Sequence, residues 1–149
     1  MTSPAVAPVS PGPSAALVRS VYRLEQEHDD LKARRRCLAA FLEIVDQNVK
    51  VDLRDSLPGL QLEGRHAVAR FFALWRQTWE SYQAVIHHLV EVAPERIVAA
   101  GRVRAIGHAG RAEASFAHLW ILRRNKVLSI SAYPTVERAE LAAQQAGEL

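Results

Sequence analysis

Residues 111–135, RAEASFAHLWILRRNKVLSISAYPT, read as two long strands joined by a tight turn, and the other segments make sense as material packed around them. The first strand carries Phe116, His118, Trp120 and Leu122 on one face and Ala117, Leu119 and Ile121 on the other. Side chains alternate across a strand, so both faces are apolar and both need cover. Arg123-Arg124-Asn125-Lys126 forms the turn, where Asn tolerates the positive φ that a tight hairpin demands. The return strand, Val127 to Tyr133, sets Leu128, Ile130 and Ala132 on one face and Val127, Ser129, Ser131 and Tyr133 on the other. One titratable side chain, His118, sits among the aromatics.

The chain of 149 residues is long enough for one domain with a sizeable core. Its 49% hydrophobic and 23% charged residues are those of an ordinary globular protein. No apolar run approaches the roughly 20 residues of a membrane span, and no basic-then-apolar leader is visible at the N-terminus. A single cysteine, Cys37, cannot form an internal disulfide, which suits a reducing, cytoplasmic setting. The net charge of +3 is mildly basic without any aromatic-basic motif, so no nucleic-acid partner is expected.

Residues 1–14, MTSPAVAPVSPGPS, hold four of the seven prolines and no charge, and read as a disordered tail before a single domain over 15–149. Ser14 is placed to cap a first helix that runs to about Glu27. His28-Asp29-Asp30 interrupts it. A second helix follows with Leu31, Leu38, Phe41, Leu42 and Val45 at helical spacing. Asn48 to Asp55 alternates as a strand, with Val49, Val51, Leu53 and Asp55 inward, and Ser56-Leu57-Pro58-Gly59 turns. HAVARFFALWRQTWE is a third helix with a broad stripe of Val68, Phe71, Phe72, Trp75 and Trp79. Strands at 82–92 and 96–107 precede the hairpin, and a polar helix that frays follows Pro134. Strands in series with helices set apart argue for α+β: a curved, mostly antiparallel sheet wrapped around three helices, a cone-shaped α+β barrel with a cleft inside.

This order, carried by NVKVDLRDSLPGLQLEGRHAVARFF, AHLWILRRNKVLSISAY and TVERAEL, resembles the nuclear transport factor two-like fold and, within it, the SnoaL-like group. The likeness covers about residues 16–143. That superfamily includes polyketide cyclases, ketosteroid isomerases, epoxide hydrolases and binding-only members, so the fold alone fixes no reaction. The ketosteroid isomerase pattern places Tyr22 at the position of a catalytic tyrosine and Asp55 at that of the base aspartate. His118 stands where that pattern has a protonated aspartate, a carboxylic acid kept neutral so that it donates a hydrogen bond. The Asn125-Lys126 turn departs from the usual Asp-Gly-Lys. The resemblance implies a cofactor-independent acid–base enzyme of isomerase or cyclase type. Its substrate would be an apolar, oxygen-bearing small molecule such as a polyketide, terpenoid or steroid-like ketone or epoxide. A non-catalytic binding or assembly module of the same fold is the alternative.

Read on their own, the residues keep two meanings each. Asp55 is a desolvated base or a turn-forming aspartate. His118 is an oxyanion donor or a core histidine. Tyr22 is a second donor or packing. Trp75, Phe116, Trp120 and Phe72 are candidate substrate walls, with His88 the one of the His87–His88 pair facing the cavity. Neither histidine has a metal-binding spacing, and no metal or cofactor is expected. The outer sheet face, with Leu119, Ile121, Val127 and Ser129, is too apolar to stay wet and is expected to bury itself in a homodimer.

Overall fold

The computed structural model describes residues 12–27, 31–55 and 59–147. The first eleven residues of the expected tail, the interruption at 28–30 and the turn at 56–58 lie outside them. The elements run α1 (Pro13–Glu27), α2 (Leu31–Ile44), β1 (Val45–Asp52), β2 (Gln61–Glu63), α3 (Arg65–Thr78), β3 (Ser81–Ala93), β4 (Arg96–Gly107), β5 (Gly110–Arg123), β6 (Lys126–Tyr133) and α4 (Val136–Gly147). The fold is α+β, as the strand series implies.

α1 begins earlier than Ser14. Pro13 takes the first helical position, where a missing N–H costs nothing, and Gly12 accepts the first helical bond, from Ala16 N at 3.0 Å. Ser14 is therefore inside the helix and buried rather than capping it. Ala15, Val18, Val21 and Tyr22 form the buried stripe of α1. Cys37 of α2 is buried against it, its Sγ donating to the carbonyl of Val21 at 3.6 Å.

Six strands form one sheet in the order β2-β1-β6-β5-β4-β3. All neighbours are antiparallel except β1 and β6, which are parallel. β2, three residues long, was too short to read from periodicity; it pairs with the end of β1. The sheet curls where β3 and β4 crowd together. A Cβ on Gly101 would lie 1.8 Å from the carbonyl oxygen of Val85, and β3 carries an extra residue opposite this point, between Ile86 and His88. A bulge beside a glycine bends and twists a strand pair, and here it bends the long β3–β4 ribbon around the helices.

The concave face packs on α1, α2 and α3 through one cluster that includes Val18, Val21, Phe41, Val49, Val51, Val68, Ile97, Ala99, Trp120, Leu122 and Val127. The convex face has its own cover. Ala139 and Ala143 of α4, both 0% exposed, sit on Val98, Ala100, Ala117 and Leu119, with Ile121 and Tyr133 beside them. Two expectations change accordingly. The last helix is held along one side: its alanine stripe, Ala139 and Ala143, lets it approach the sheet closely although it reads as polar. The apolar face offered for a second copy is occupied at Leu119 and Ile121 by α4. Val127 leaves that face altogether, because a register shift between Ile121 and Leu122 in the β5–β6 pairing sets it opposite Leu122 in the concave core.

Candidate functional site

The helices do not fill the curl. A cavity of about 350 Å³ remains between α3 and the sheet, within the range of small-molecule sites. One wall is the aromatic run Phe71, Phe72, Trp75 and Trp79, a helical i, i+4, i+8 ladder with one extra ring. The opposite wall is made of small inward residues on three neighbouring strands: Ala84, Val103, Ala105, Ala112 and Ala114. Tyr22, Phe116, His118 and Trp120 form the inner end. The expected walls Trp75, Phe116, Trp120 and Phe72 all border the void. The alanine wall was missed, although Ala at alternate positions of 112–114 and at 84 and 105 is the signal that would have found it.

The polar part is a chain of three side chains from two elements. Trp120 Nε1 donates to Tyr22 Oη at 3.1 Å, and Tyr22 Oη lies 3.0 Å from His118 Nδ1. Rings hold the geometry. Phe116 stacks on His118 with centroids 4.8 Å apart and on Tyr22 at 5.7 Å, while Trp120 meets Tyr22 edge-on at 5.7 Å. Burial pushes the His118 imidazole down from its ordinary 6.5 to about 4, because a charged ring there would lose its hydration. The ring is therefore neutral at pH 7, an acceptor at one nitrogen and a donor at the other.

Asp55 is elsewhere. It is exposed, and it does not border the cavity. The alternation that would carry it inward stops with Leu53, the last side chain of this segment to line the void. Beyond it the chain bends: Leu53 N bonds the carbonyl of Leu60, and Arg54 wraps back on Asp52, donating from Nε at 2.9 Å and Nη2 at 2.8 Å. Those bonds hold the Asp52 carboxyl below the usual carboxylate range.

His88 also lies outside. The extra residue in β3 flips it to the convex face, opposite Ala100, where its Nε2 lies 3.0 Å from Glu140 Oε1 of α4. Unbroken alternation from Tyr82 through Ala84 and Ile86 would have turned it inward. Among the described residues, none that lines the cavity is an Asp, Glu, Lys or Arg. Among the described residues no three His, Cys, Asp or Glu side chains gather as a metal site. No described helix is long and apolar enough to cross a membrane.

A curled sheet around three helices with a void between them is the NTF2-like fold, which this chain shares with the solved structures it matches. Solved structures of the same fold include an NTF2-like protein of unknown function from Burkholderia pseudomallei, with a TM-score of 0.66 and 19% identity over 84% of this chain and 92% of that one. A putative SnoaL-like polyketide cyclase from Jannaschia sp. matches with a TM-score of 0.65 and 12% identity over 87% and 90%. TerC, co-crystallized with polyporic acid, matches with a TM-score of 0.63 and 15% identity over 89% and 98%. No protein-family model matches the chain, and no curated protein matches it.

Proposed function

We propose that the cavity binds an uncharged, apolar small molecule bearing oxygen, of the polyketide, terpenoid or steroid-like ketone or epoxide kind. There the Tyr22–His118 pair assists a cofactor-independent cyclisation or isomerisation. The observation that carries this reading is a hydrogen-bonded polar pair set into the end of a largely apolar void of about 350 Å³. A neutral donor held in a dry site stabilises negative charge that develops on a carbonyl or epoxide oxygen, and it needs no reorganisation at the moment of reaction. Named polyketide cyclases among the structures that share the fold support the class of chemistry.

The test is turnover of a panel of neutral ketones and epoxides by the purified chain. His118→Leu and Tyr22→Phe are expected to cut turnover by about 10²–10³-fold, the usual cost of one oxyanion donor. Asp55→Asn is expected to leave it unchanged. A large effect of Asp55→Asn would return the base to that aspartate and discard the present assignment.

A second reading has its own support. Proton abstraction from carbon needs a base, and no carboxylate lines the cavity among the described residues. A chain that only binds its ligand fits that fact, and it predicts saturable binding from the same panel with no product formed.

A further inference from the structure

The geometry points to the edge of β5 from Gly110 to Phe116 as the seat of a second copy of this chain, paired strand to strand about a two-fold axis at Ala112. The contact lies at the rim of the cavity and does not depend on which ligand the cavity takes.

β5 outruns one of its two neighbours. β4 pairs with it from Gly110 to Ile121 without a register shift. β6 pairs with it only from Ala117 onward, since Pro134 follows Tyr133 and brings no N–H for a further ladder bond. Alternate residues of Gly110–Phe116 therefore turn their N–H and C=O away from β4, along a line that β6 has already left. Gly110, Arg111, Ala112, Glu113, Ala114 and Ser115 are all exposed. An open edge recruits another strand unless something blunts it. The two end strands of the sheet are blunted: β2 has three residues, and β3 breaks register at Ile86/His88 and again at Glu91/Ala93. The β5 edge, GRAEASF, holds no proline, no lysine and no bulge.

Charge selects the occupant and its register. Residues directly opposite in an antiparallel pair share a face. Arg111 and Glu113 lie on the convex face with Ala117, whereas Ala112 and Ala114 border the cavity. A two-fold axis at Arg111 would set arginine against arginine, and one at Glu113 would set glutamate against glutamate. An axis at Ala112 sets Arg111 of each copy opposite Glu113 of the other, twice by symmetry. Glu113 already meets two arginines of β4, Arg104 Nε at 2.9 Å and Arg102 Nη2 at 3.6 Å, while Arg111 stands across from Ile106. The joined sheets thus alternate in charge, Arg104 to Glu113 to the second copy's Arg111.

The same axis satisfies the space. On the concave side Ala112 meets Ala112 and Gly110 meets Ala114, small enough for two backbones to close. The second copy's turn at 108–109 comes level with Ser115 and Phe116 and stops short of Tyr133, which holds the place opposite Ala117. An axis at Ala114 would drive that turn into β6. The second copy's Gly110 and Ala112 then join the rim of the cavity. A shared strand this short is a small interface, so the dimer is of the weak, concentration-dependent class.

Sedimentation of the full chain from micromolar to millimolar concentration is expected to show monomer passing into dimer. Amides at alternate positions of 110–116 are expected to gain protection from hydrogen exchange over the same range. Arg111→Glu and Glu113→Arg each set like charges opposite one another twice, and each is expected to weaken self-association by about tenfold or more. Mixed in equal amounts the two variants regain it, because each then offers the charge the other needs. Misfolding of either variant would not be cured by mixing. Ala112→Cys is expected to cross-link two copies under mild oxidation, since residues at the axis stand about 4.5–5.5 Å apart at Cα. Ala114→Cys is also exposed but lies roughly 13 Å along the strand from its mate and is expected to stay free. The native Cys37 is buried and leaves the background low.

A monomer throughout the range overturns the proposal and leaves the edge to a different protein or to another part of this chain. A dimer that neither charge reversal weakens, or that mixing fails to restore, overturns it as well. So does cross-linking of Ala114→Cys as fast as Ala112→Cys, which would place the second copy in another register or on another face.

Discussion

The concave and convex faces of the sheet draw on the same strands in alternation, yet one borders a void of about 350 Å³ and the other is packed by a helix. On β5 the two sets are Phe116, His118, Trp120 and Leu122 against Ala117, Leu119 and Ile121, equally apolar by composition. The difference lies in what faces them. α4 meets the convex set with Ala139 and Ala143, whose small side chains let a helix settle close to the strands. α3 meets the concave set with Phe71, Trp75 and, just past its end, Trp79, bulky rings packed on one another, and opposite them the strands offer alanines. Bulk on one wall and smoothness on the other leave a slot. Apolar character says that a face will be covered; side-chain size says whether the cover seals it.

The comparison breaks most severely at the curl. Gly101→Ala puts a methyl into the Val85 carbonyl and forces β4 away from β3. The expected loss is about 3 kcal/mol or more, read from urea unfolding, with the cavity opened or lost. An unchanged midpoint would mean that the sheet bends elsewhere.

Next in size is acid sensitivity confined to the concave side. Unfolded, the His118 imidazole takes its proton near pH 6.5; folded, it does so only near 4. Between these values the unfolded chain binds more protons. Stability from this group is thus complete above about pH 6.5 and declines as pH falls toward 4, by up to about 3 kcal/mol. His118→Leu should lack that part of the slope, and urea midpoints at several pH values across the window would show it.

On the convex side, Ala143→Leu adds volume where the helix touches the strands. The expected cost is about 2 kcal/mol, with α4 amides exchanging faster while ligand binding in the cavity is unaffected. Glu140→Gln removes only the partly exposed contact to His88 and should cost less than about 1 kcal/mol. A change in ligand affinity from either substitution would show that the two faces communicate through the strands.

Much of the fold was legible because it rests on periodicity. β3 to β6, the three inner helices and the aromatic stripe of α3 all follow from spacing. The losses fall where the backbone breaks step. One extra residue near His87 sends His88 to the wrong face, and another at Leu128 sends Val127 to the core. Alternation counts residues and cannot see a bulge. Asp55 was misplaced for a related reason: the strand stopped at Asp52, where Arg54 folds back, and a pattern extrapolated past its last pairing has no meaning. His118 and Tyr22 were legible as candidates, whereas the Trp120–Tyr22 bond was not, since nothing in spacing brings residues of α1 and β5 to 3.1 Å.

The parallel seam between β1 and β6 has a consequence for how the molecule assembles. β3 to β6 are successive hairpins and can zip from their turns, but Val45 must find Val127 and Asp52 must find Ser131 across the whole intervening chain. During synthesis the N-terminal third waits without its strand partner until β6 has emerged. The Tyr22–His118 contact, 96 residues apart, closes on the same schedule. The pocket is therefore among the last features to acquire its shape, and Trp120 fluorescence would report the slow phase of refolding.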